Sequence, residues 1–229
     1  MSTPKSRPAL LIATRNAHKV AEIRAILGEG FRWLTLNDFP NAPSVREDAP
    51  TFAGNAAKKA AELAKWLTQN QKSEVRSQKE KIFVLADDSG LEVDVLNGAP
   101  GVHSARFAAL DSGQPGNSST VENNGKLLRL LADVPPAKRT ARFRCVLALV
   151  PVGSQKSEIR SPKLFEGVCE GRIIFSPRGK GGFGYDPLFV PTGFDQTFAE
   201  LGEEVKNQLS HRAKALAKLK RRLDSLPGA

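Results

Sequence analysis

A mixed α/β fold is what this sequence predicts, and two observations carry the prediction. Apolar strand-like runs alternate with amphipathic helical stretches through the first half of the chain, and two neighbouring strand-like runs joined by a polar connection follow in the second. Parallel strands need a long crossover between them, so the later pair argues for a sheet of mixed direction. At 229 residues the chain is long enough to bury a core without disulfide support, and it contains no internal repeat. One domain spanning 1–229 is expected, with residues 1–8 as a flexible tail.

The run "ALLIA" (9–13) reads as a buried strand, and Val20, Ile23 and Leu27 then mark one face of a helix. "FRWLTL" (31–36) is a second strand. From Thr51, a plausible N-cap, Phe52, Ala56, Ala60, Leu63 and Leu67 trace a long helical stripe. The charge-mixed stretch after it, 68–81, reads as a solvated surface loop. "KIFVLA" (81–86) is an interior strand, and "LEVDVL" (91–96) alternates as another after a break at "DDSG". Residues 111–118 are loop-like, the segment to Ala132 is helical, and Pro135 with Pro136 closes it. "TARFRCVLALV" (140–150) and "LFEGVCEGRIIF" (164–175) are the later pair of strands. Ser210 is an N-cap for a last helix whose Leu216, Leu219, Leu223 and Leu226 recur at helical spacing, with lysines and arginines on its wet face.

The formal charge of +10 favours polyanionic partners: phosphorylated small molecules, nucleic acid or an acidic membrane surface. No known nucleic-acid-reading motif is present, and the aromatics are not interleaved with basic residues along one surface. The apolar run near the start is too short for a signal peptide or a membrane span, so neither export nor anchoring is expected. Cys145 and Cys169 are the only cysteines, without zinc or redox spacing, which suits a reducing cytoplasm.

Four stretches can carry chemistry. "TRNAHK" (14–19) lies between the first strand and the first helix, where helix-start N–H groups, an Asn amide and a Lys can meet an anion, although an ordinary capped turn would read the same way. It is not a Walker A loop. "DDSG" places Asp87 and Asp88 where the apolar run ends, as a turn or as a pair of carboxylates with a task. "GKGGFGYDP" (179–187) holds a formal dinucleotide fingerprint in Gly179, Gly181 and Gly184, but Pro187 and "LFVP" follow, which do not open a helix toward a pyrophosphate. It reads better as a loop closing on a ligand, with Phe183 and Tyr185 offering flat faces to a base; the alternative tucks both aromatics into the core. Finally, His211 and Arg212 put cations in the first turn of the last helix, against its dipole. His18, His103 and His211 show no metal-ligand spacing.

In register from about Leu10 to Leu219, "TRNAHKVAEI", "EDAPTFAGNAAKKA", "ADDSGLEVDVLNGAPGVHSARFA", "GKGGFGYDPLF", "TFAEL" and "EEVKNQLSHRAKAL" resemble the inosine triphosphate pyrophosphatase family, the non-canonical purine nucleoside triphosphate pyrophosphohydrolases. The resemblance implies an elongated mixed sheet flanked by helices, two lobes with the active-site cleft between them, and a cytoplasmic homodimer. The implied reaction is Mg²⁺-dependent cleavage of dITP, ITP or XTP between the α and β phosphates, cleansing the nucleotide pool. By position, the segment Thr14, Arg15, Asn16, Ala17, His18 and Lys19 would face the triphosphate. Glu47 would bind metal, and Asp88 would be both metal ligand and proton acceptor, with Ser89 beside the substrate. Phe183, Gly184, Tyr185 and Asp186, then Lys206, His211 and Arg212, would hold nucleotide and base.

Neighbouring residues on a regular strand point to opposite faces, so Asp87 and Asp88 can serve one metal only if the chain bends there, a bend that Ser89 and Gly90 permit. Asp87 is therefore either a second metal ligand or a turn-maker. His103 stands where the family usually has Tyr, and "FAAL" replaces the more usual "YAG", both near loops expected to shape the cleft or the dimer contact. The alternatives to the family activity are the same fold acting on another modified nucleotide, and a basic nucleic-acid-binding module.

Overall fold

Parallel pairing at one end and antiparallel pairing at the other make the sheet mixed. The computed structural model describes residues 7–70, 81–113, 116–153 and 161–225. Its strands are β1 (Ala9–Ile12), β2 (Arg32–Thr35), β3 (Ile82–Val93), β4 (Thr140–Pro151), β5 (Lys163–Ile173) and β6 (Phe189–Pro191), in the order β2-β1-β3-β4-β5-β6. β1 runs parallel to β2 and to β3, with Leu11 opposite Leu34 and Val84, whereas β5 and β6 are antiparallel. β4 and β5 are sheet neighbours, as a hairpin would make them; residues 154–160 of their connection lie outside the described residues. The helices are α1 (Ala17–Leu27), α2 (Phe52–Asn70), α3 (Ala109–Ser112), α4 (Thr120–Leu130), α5 (Phe198–Leu209) and α6 (His211–Asp224).

The chain divides into two compact units, the described residues of Met1–Asp88, Val146–Glu166 and Ala215–Ala229 in the first, and Ser89–Cys145 with Gly167–Lys214 in the second. In the first unit every residue of β1 is buried, because a strand with neighbours on both edges and apolar side chains on both faces has no wet side. Ile23 and Leu27 of α1 are buried, and so is the whole predicted stripe of α2, from Phe52 to Leu67. Thr51 Oγ1 accepts the Gly54 N–H at 3.1 Å, closing the first turn of α2. Thr68, Gln69 and Asn70 complete α2 where a loop is expected; the rest of that loop, 71–80, and residues 1–6 of the expected tail lie outside the described residues.

The second unit centres on Leu91, Phe107, Leu127, Phe143, Leu188, Phe189 and Phe198, an aromatic-rich cluster in which the Phe143 and Phe189 rings lie 4.7 Å apart. Residues 109–112 form the short α3, so the loop expected from 111 begins two residues later. α5 opens with a reciprocal cap: Glu200 N–H donates to Thr197 Oγ1 (3.2 Å) and Thr197 N–H to Glu200 Oε2 (2.7 Å). Gly202, at φ 80°, kinks the same helix.

Ser210 Oγ accepts the Ala213 N–H at 3.2 Å, the predicted cap of α6. Leu216, Leu219 and Leu223 are buried beneath an exposed face of Lys214, Lys218, Lys220 and Arg221, while Leu226 lies outside the described residues. Lys214 and Lys218 donate to the carbonyls of Val168 and Glu166, so this basic face is partly engaged by the protein itself. Among the described residues, no helix is long and apolar enough to cross a membrane.

The expected break at "DDSG" is absent. β3 continues unbroken from Ile82 to Val93, and only Asp94–Leu96 leave it, as one tight helical turn. Gly90 serves close packing here: a Cβ on it would stand 2.3 Å from Ser104 Oγ and 2.6 Å from the Gly101 carbonyl oxygen. Ser104 Oγ uses that space to accept the Leu91 N–H (2.9 Å) and donate to Gly101 O (2.6 Å). Asp87 is therefore not a turn-maker.

Candidate active site

In the first unit, the chain leaves β1 through Thr14 and Arg15 and enters α1 at Asn16, which caps the helix by accepting from the N–H groups of His18 (3.0 Å) and Lys19 (3.3 Å). Thr14 Oγ1 accepts the Asn16 N–H at 3.2 Å. Arg15, Asn16, Ala17 and His18 are exposed, so the segment presents backbone and side-chain donors to solvent at the positive end of a helix. Lys19 turns inward, and its Nζ meets Asp87 Oδ1 at 2.5 Å.

Within the unbroken β3, Asp87 and Asp88 go to different partners. Asp87 takes Lys19, while Asp88 Oδ2 accepts the amide of Asn55 at 3.0 Å. Lys59, one turn beyond Asn55 on α2, donates to the Asp87 carbonyl (3.2 Å) and pairs with the Glu47 carboxylate.

Burial pushes the Asp88 carboxyl up from its ordinary value of 3.8 to about 6. The Glu47 charge pushes the same way, and the opposing influence of Lys19, Lys59 and the Asn55 hydrogen bond does not cancel the two. In protein free of divalent cations, carbon-13 NMR of labelled aspartate is expected to show the Asp88 carboxyl titrating near pH 6; an Asp88 signal titrating near 4 would contradict the burial argument. The folded protein then holds this proton more tightly than the unfolded chain. Its contribution to stability is complete below 3.8 and disappears as pH rises through about 6. That difference amounts to about 3 kcal/mol.

Among the described residues no three His, Cys, Asp or Glu gather as a closed metal cage. A hard cation such as Mg²⁺ does not need one, since it takes one or two carboxylates and completes its shell with water and phosphate oxygens. Glu47 and Asp88, oxygen donors close enough to influence each other's charge, fit that requirement.

The second unit holds the glycine loop. Gly179, Gly182 and Gly184 have φ of 81°, 71° and 61°, and a Cβ on Gly182 would meet Asp186 Oδ2 at 2.3 Å. Asp186 organises this loop from beneath: its Oδ2 accepts the Phe183 N–H (2.8 Å) and Lys206 Nζ (2.6 Å). Lys206 also lies 4.3 Å from the centre of the Phe183 ring. Phe183 is half-buried, whereas Tyr185 is packed in the core with its hydroxyl donating to Ser104 O (2.9 Å). The two aromatics thus part ways, one at the loop surface and one beneath it. Asn124 on α4 donates to the Gly184 carbonyl at 3.2 Å.

α6 supplies the remaining basic side chains. The His211 ring stacks on Phe143, 4.8 Å between centroids, and Arg212, almost fully buried, donates to Ser89 Oγ at 2.8 Å. The geometry thus gathers Asp87, Asp88, Lys19 and Glu47 in the first unit, and Ser89, Phe183, Asp186, Lys206 and Arg212 in the second. The two sets join covalently at the Asp88–Ser89 peptide bond. Asn55, Lys59 and Asn124 escape the sequence reading. For the first two the signal was present as polar side chains at i and i+4 beside the Phe52, Ala56 and Ala60 stripe.

The model of the Ham1 family matches residues 10–222. The dITP/XTP pyrophosphatase of Desulforamulus reducens is 46% identical over 210 residues, which cover 91% of this chain and 92% of that protein. The dITP/XTP pyrophosphatase of Geobacter sulfurreducens is 47% identical over 212 residues, 92% of this chain and 94% of the relative. Among solved structures, a HAM1 protein from Coxiella burnetii superposes with a TM-score of 0.75 at 34% identity, covering 96% of this chain and 100% of that one. The Staphylococcus aureus Ham1 protein does so with a TM-score of 0.75 at 33% identity, covering 94% and 98%.

Proposed function

The chain belongs to the Ham1 family, and on that premise we propose that it hydrolyses the non-canonical purine nucleoside triphosphates dITP, ITP and XTP to monophosphate and pyrophosphate, with Mg²⁺. The observation that carries the reading is Asp88: a buried carboxylate held by Asn55, under the influence of Glu47, Lys19 and Lys59, and directly bonded to the residue that Arg212 engages.

Glu47 and Asp88 would hold the ion. When bound, it supplies neutralisation of phosphate charge and orientation for in-line displacement. Asp88 accepts the proton of the attacking water, a task suited to a carboxyl whose affinity for protons has been raised toward neutrality. The N–H groups and side chains of Thr14–Lys19 receive phosphate oxygens at the start of α1. Lys19, already beside Asp87, adds charge there without needing to be gathered from solvent.

Phe183 offers its ring face to the base, and Asp186 with Lys206 fixes the loop that carries it. Donors such as Arg212 and backbone N–H groups complement the 6-oxo group of hypoxanthine or xanthine. Adenine would set an amino donor against a donor, and unpaired groups of that kind discriminate by orders of magnitude. Removal of such nucleotides in a cytoplasmic pool, by a homodimer, completes the reading; the motif resemblance supports these last points.

Incubation with dITP and Mg²⁺ tests the proposal. Pyrophosphate and dIMP are the expected products; orthophosphate and dIDP would refute the bond assigned, and a triphosphate panel that ranked a modified pyrimidine first would refute the base assigned.

A further inference from the structure

Asn55 is a polar side chain on the buried side of α2, 1% exposed, and it bonds at both ends. Its Nδ2 donates to Asp88 Oδ2 at 3.0 Å, and its Oδ1 accepts the Ala49 N–H at 2.9 Å. Ala49 lies two residues beyond Glu47. One planar amide therefore ties the carboxylate of Asp88 to the loop that carries Glu47. We propose that Asn55 is a positioning residue for the reaction, holding the two metal-binding carboxylates at a set separation and leaving Asp88 Oδ1 to meet cation and water. This inference rests on the reading of Glu47 and Asp88 given above.

The chemistry of the two contacts admits one orientation of the amide. An N–H can be met only by the oxygen end, and a carboxylate only by the nitrogen end. Neither Asp nor a shorter hydroxyl reproduces both bonds: Asp would present an oxygen to a carboxylate, and Ser does not span the distance. If Asn55 served only to anchor the loop, the Ala49 contact would suffice, yet its donor goes to the group that reacts.

The surroundings reinforce the link. A Cβ on Gly54 would stand 2.8 Å from the Ala49 Cβ, so the loop lies against the first turn of α2 with no room to drift closer. Lys59, four residues on, repeats the pattern by holding the Asp87 carbonyl and the Glu47 carboxylate. The same helix face thus grips β3 and the Glu47 loop at two successive turns.

The experiment compares the full chain with Asn55→Ala, Asn55→Asp and Leu63→Ala, the last a core truncation on the same helix, away from the carboxylates. Mn²⁺ binding to the protein alone is measured by electron paramagnetic resonance; kcat and KM for dITP are measured at saturating Mg²⁺. Asn55→Ala is expected to weaken Mn²⁺ about tenfold and to lower kcat by about 10- to 100-fold, with KM within about twofold of the parent. Leu63→Ala is expected to lose thermal stability and keep both properties. Asn55→Asp keeps an acceptor for Ala49 but not the donor to Asp88, so its kcat should fall as far as that of Asn55→Ala; it also decides the matter if Asn55→Ala does not fold. Parental Mn²⁺ affinity and kcat in the Asn55 variants, or equal losses in Leu63→Ala, would overturn the proposal. If Asn55→Ala weakens Mn²⁺ but the parent cuts no triphosphate, the carboxylate link stands and the assigned reaction falls.

Discussion

Asp88→Asn is expected to leave a folded protein with kcat for dITP lower by about 10²–10⁴-fold, the range that a positioned proton acceptor contributes. The amide is nearly the shape of the carboxylate and can still accept the Asn55 hydrogen bond through its oxygen. It cannot take a proton from water at neutral pH, and it brings no charge to a cation. The same substitution should stabilise the protein. Ionised Asp88 is disfavoured in the fold by burial and by Glu47, and a neutral amide escapes a cost of up to about 3 kcal/mol at pH 7.5 without metal. Turnover assays and urea denaturation, read together, check both halves. An active variant would remove Asp88 from the proton-accepting role, and a variant no more stable than the parent at pH 7.5 would count against the strain ascribed to its ionisation.

Lys206→Met carries the largest expected loss of stability. Lys206 and Asp186 form an ion pair whose side chains are only 3% and 2% exposed, 2.6 Å apart. Removing the cation takes the ion-pair partner from a buried carboxylate, at a cost of about 3–5 kcal/mol, or a fall in Tm of roughly 10 °C. Combining Lys206→Met with Asp186→Asn should recover much of the loss, since the Asp186→Asn amide can still receive the Phe183 N–H through its oxygen. A single variant as stable as the parent, or a double variant no better than the single, would contradict the pairing. Nucleotide affinity gives a second readout, as the Phe183 loop depends on the same carboxylate.

The helices and strands that were legible in the sequence owe it to period and burial. β1 is short, wholly apolar and bounded by polar residues, and the stripe of α2 recurs at helical spacing over its full length. β3 was misread because Asp, Ser and Gly carry local turn signals, whereas the contacts that hold these residues within the strand come from elsewhere in the chain. Lys19 takes Asp87, Asn55 takes Asp88, and Ser104 fills the space that Gly90 vacates. α5 shows the opposite case: Thr197 and Glu200 form a readable capping pattern, but Gly202 interrupts the helical run that would have confirmed it. At the candidate site, the acidic, basic and aromatic side chains were legible from their ordered motifs. Asn124 was not, because an amide inside a helical segment looks like surface until its partner, the Gly184 carbonyl, is brought to it by the fold.

Tyr185 is the single tyrosine of the chain and belongs to the second unit; the two tryptophans, Trp33 and Trp66, belong to the first. Nature has thereby sorted the chromophores. Indole emission follows melting of the first unit alone, and one fluorotyrosine, introduced biosynthetically, gives a lone fluorine resonance for the second. Whether the halves come apart together or in sequence can thus be watched in the unaltered polypeptide, with no reporter grafted on.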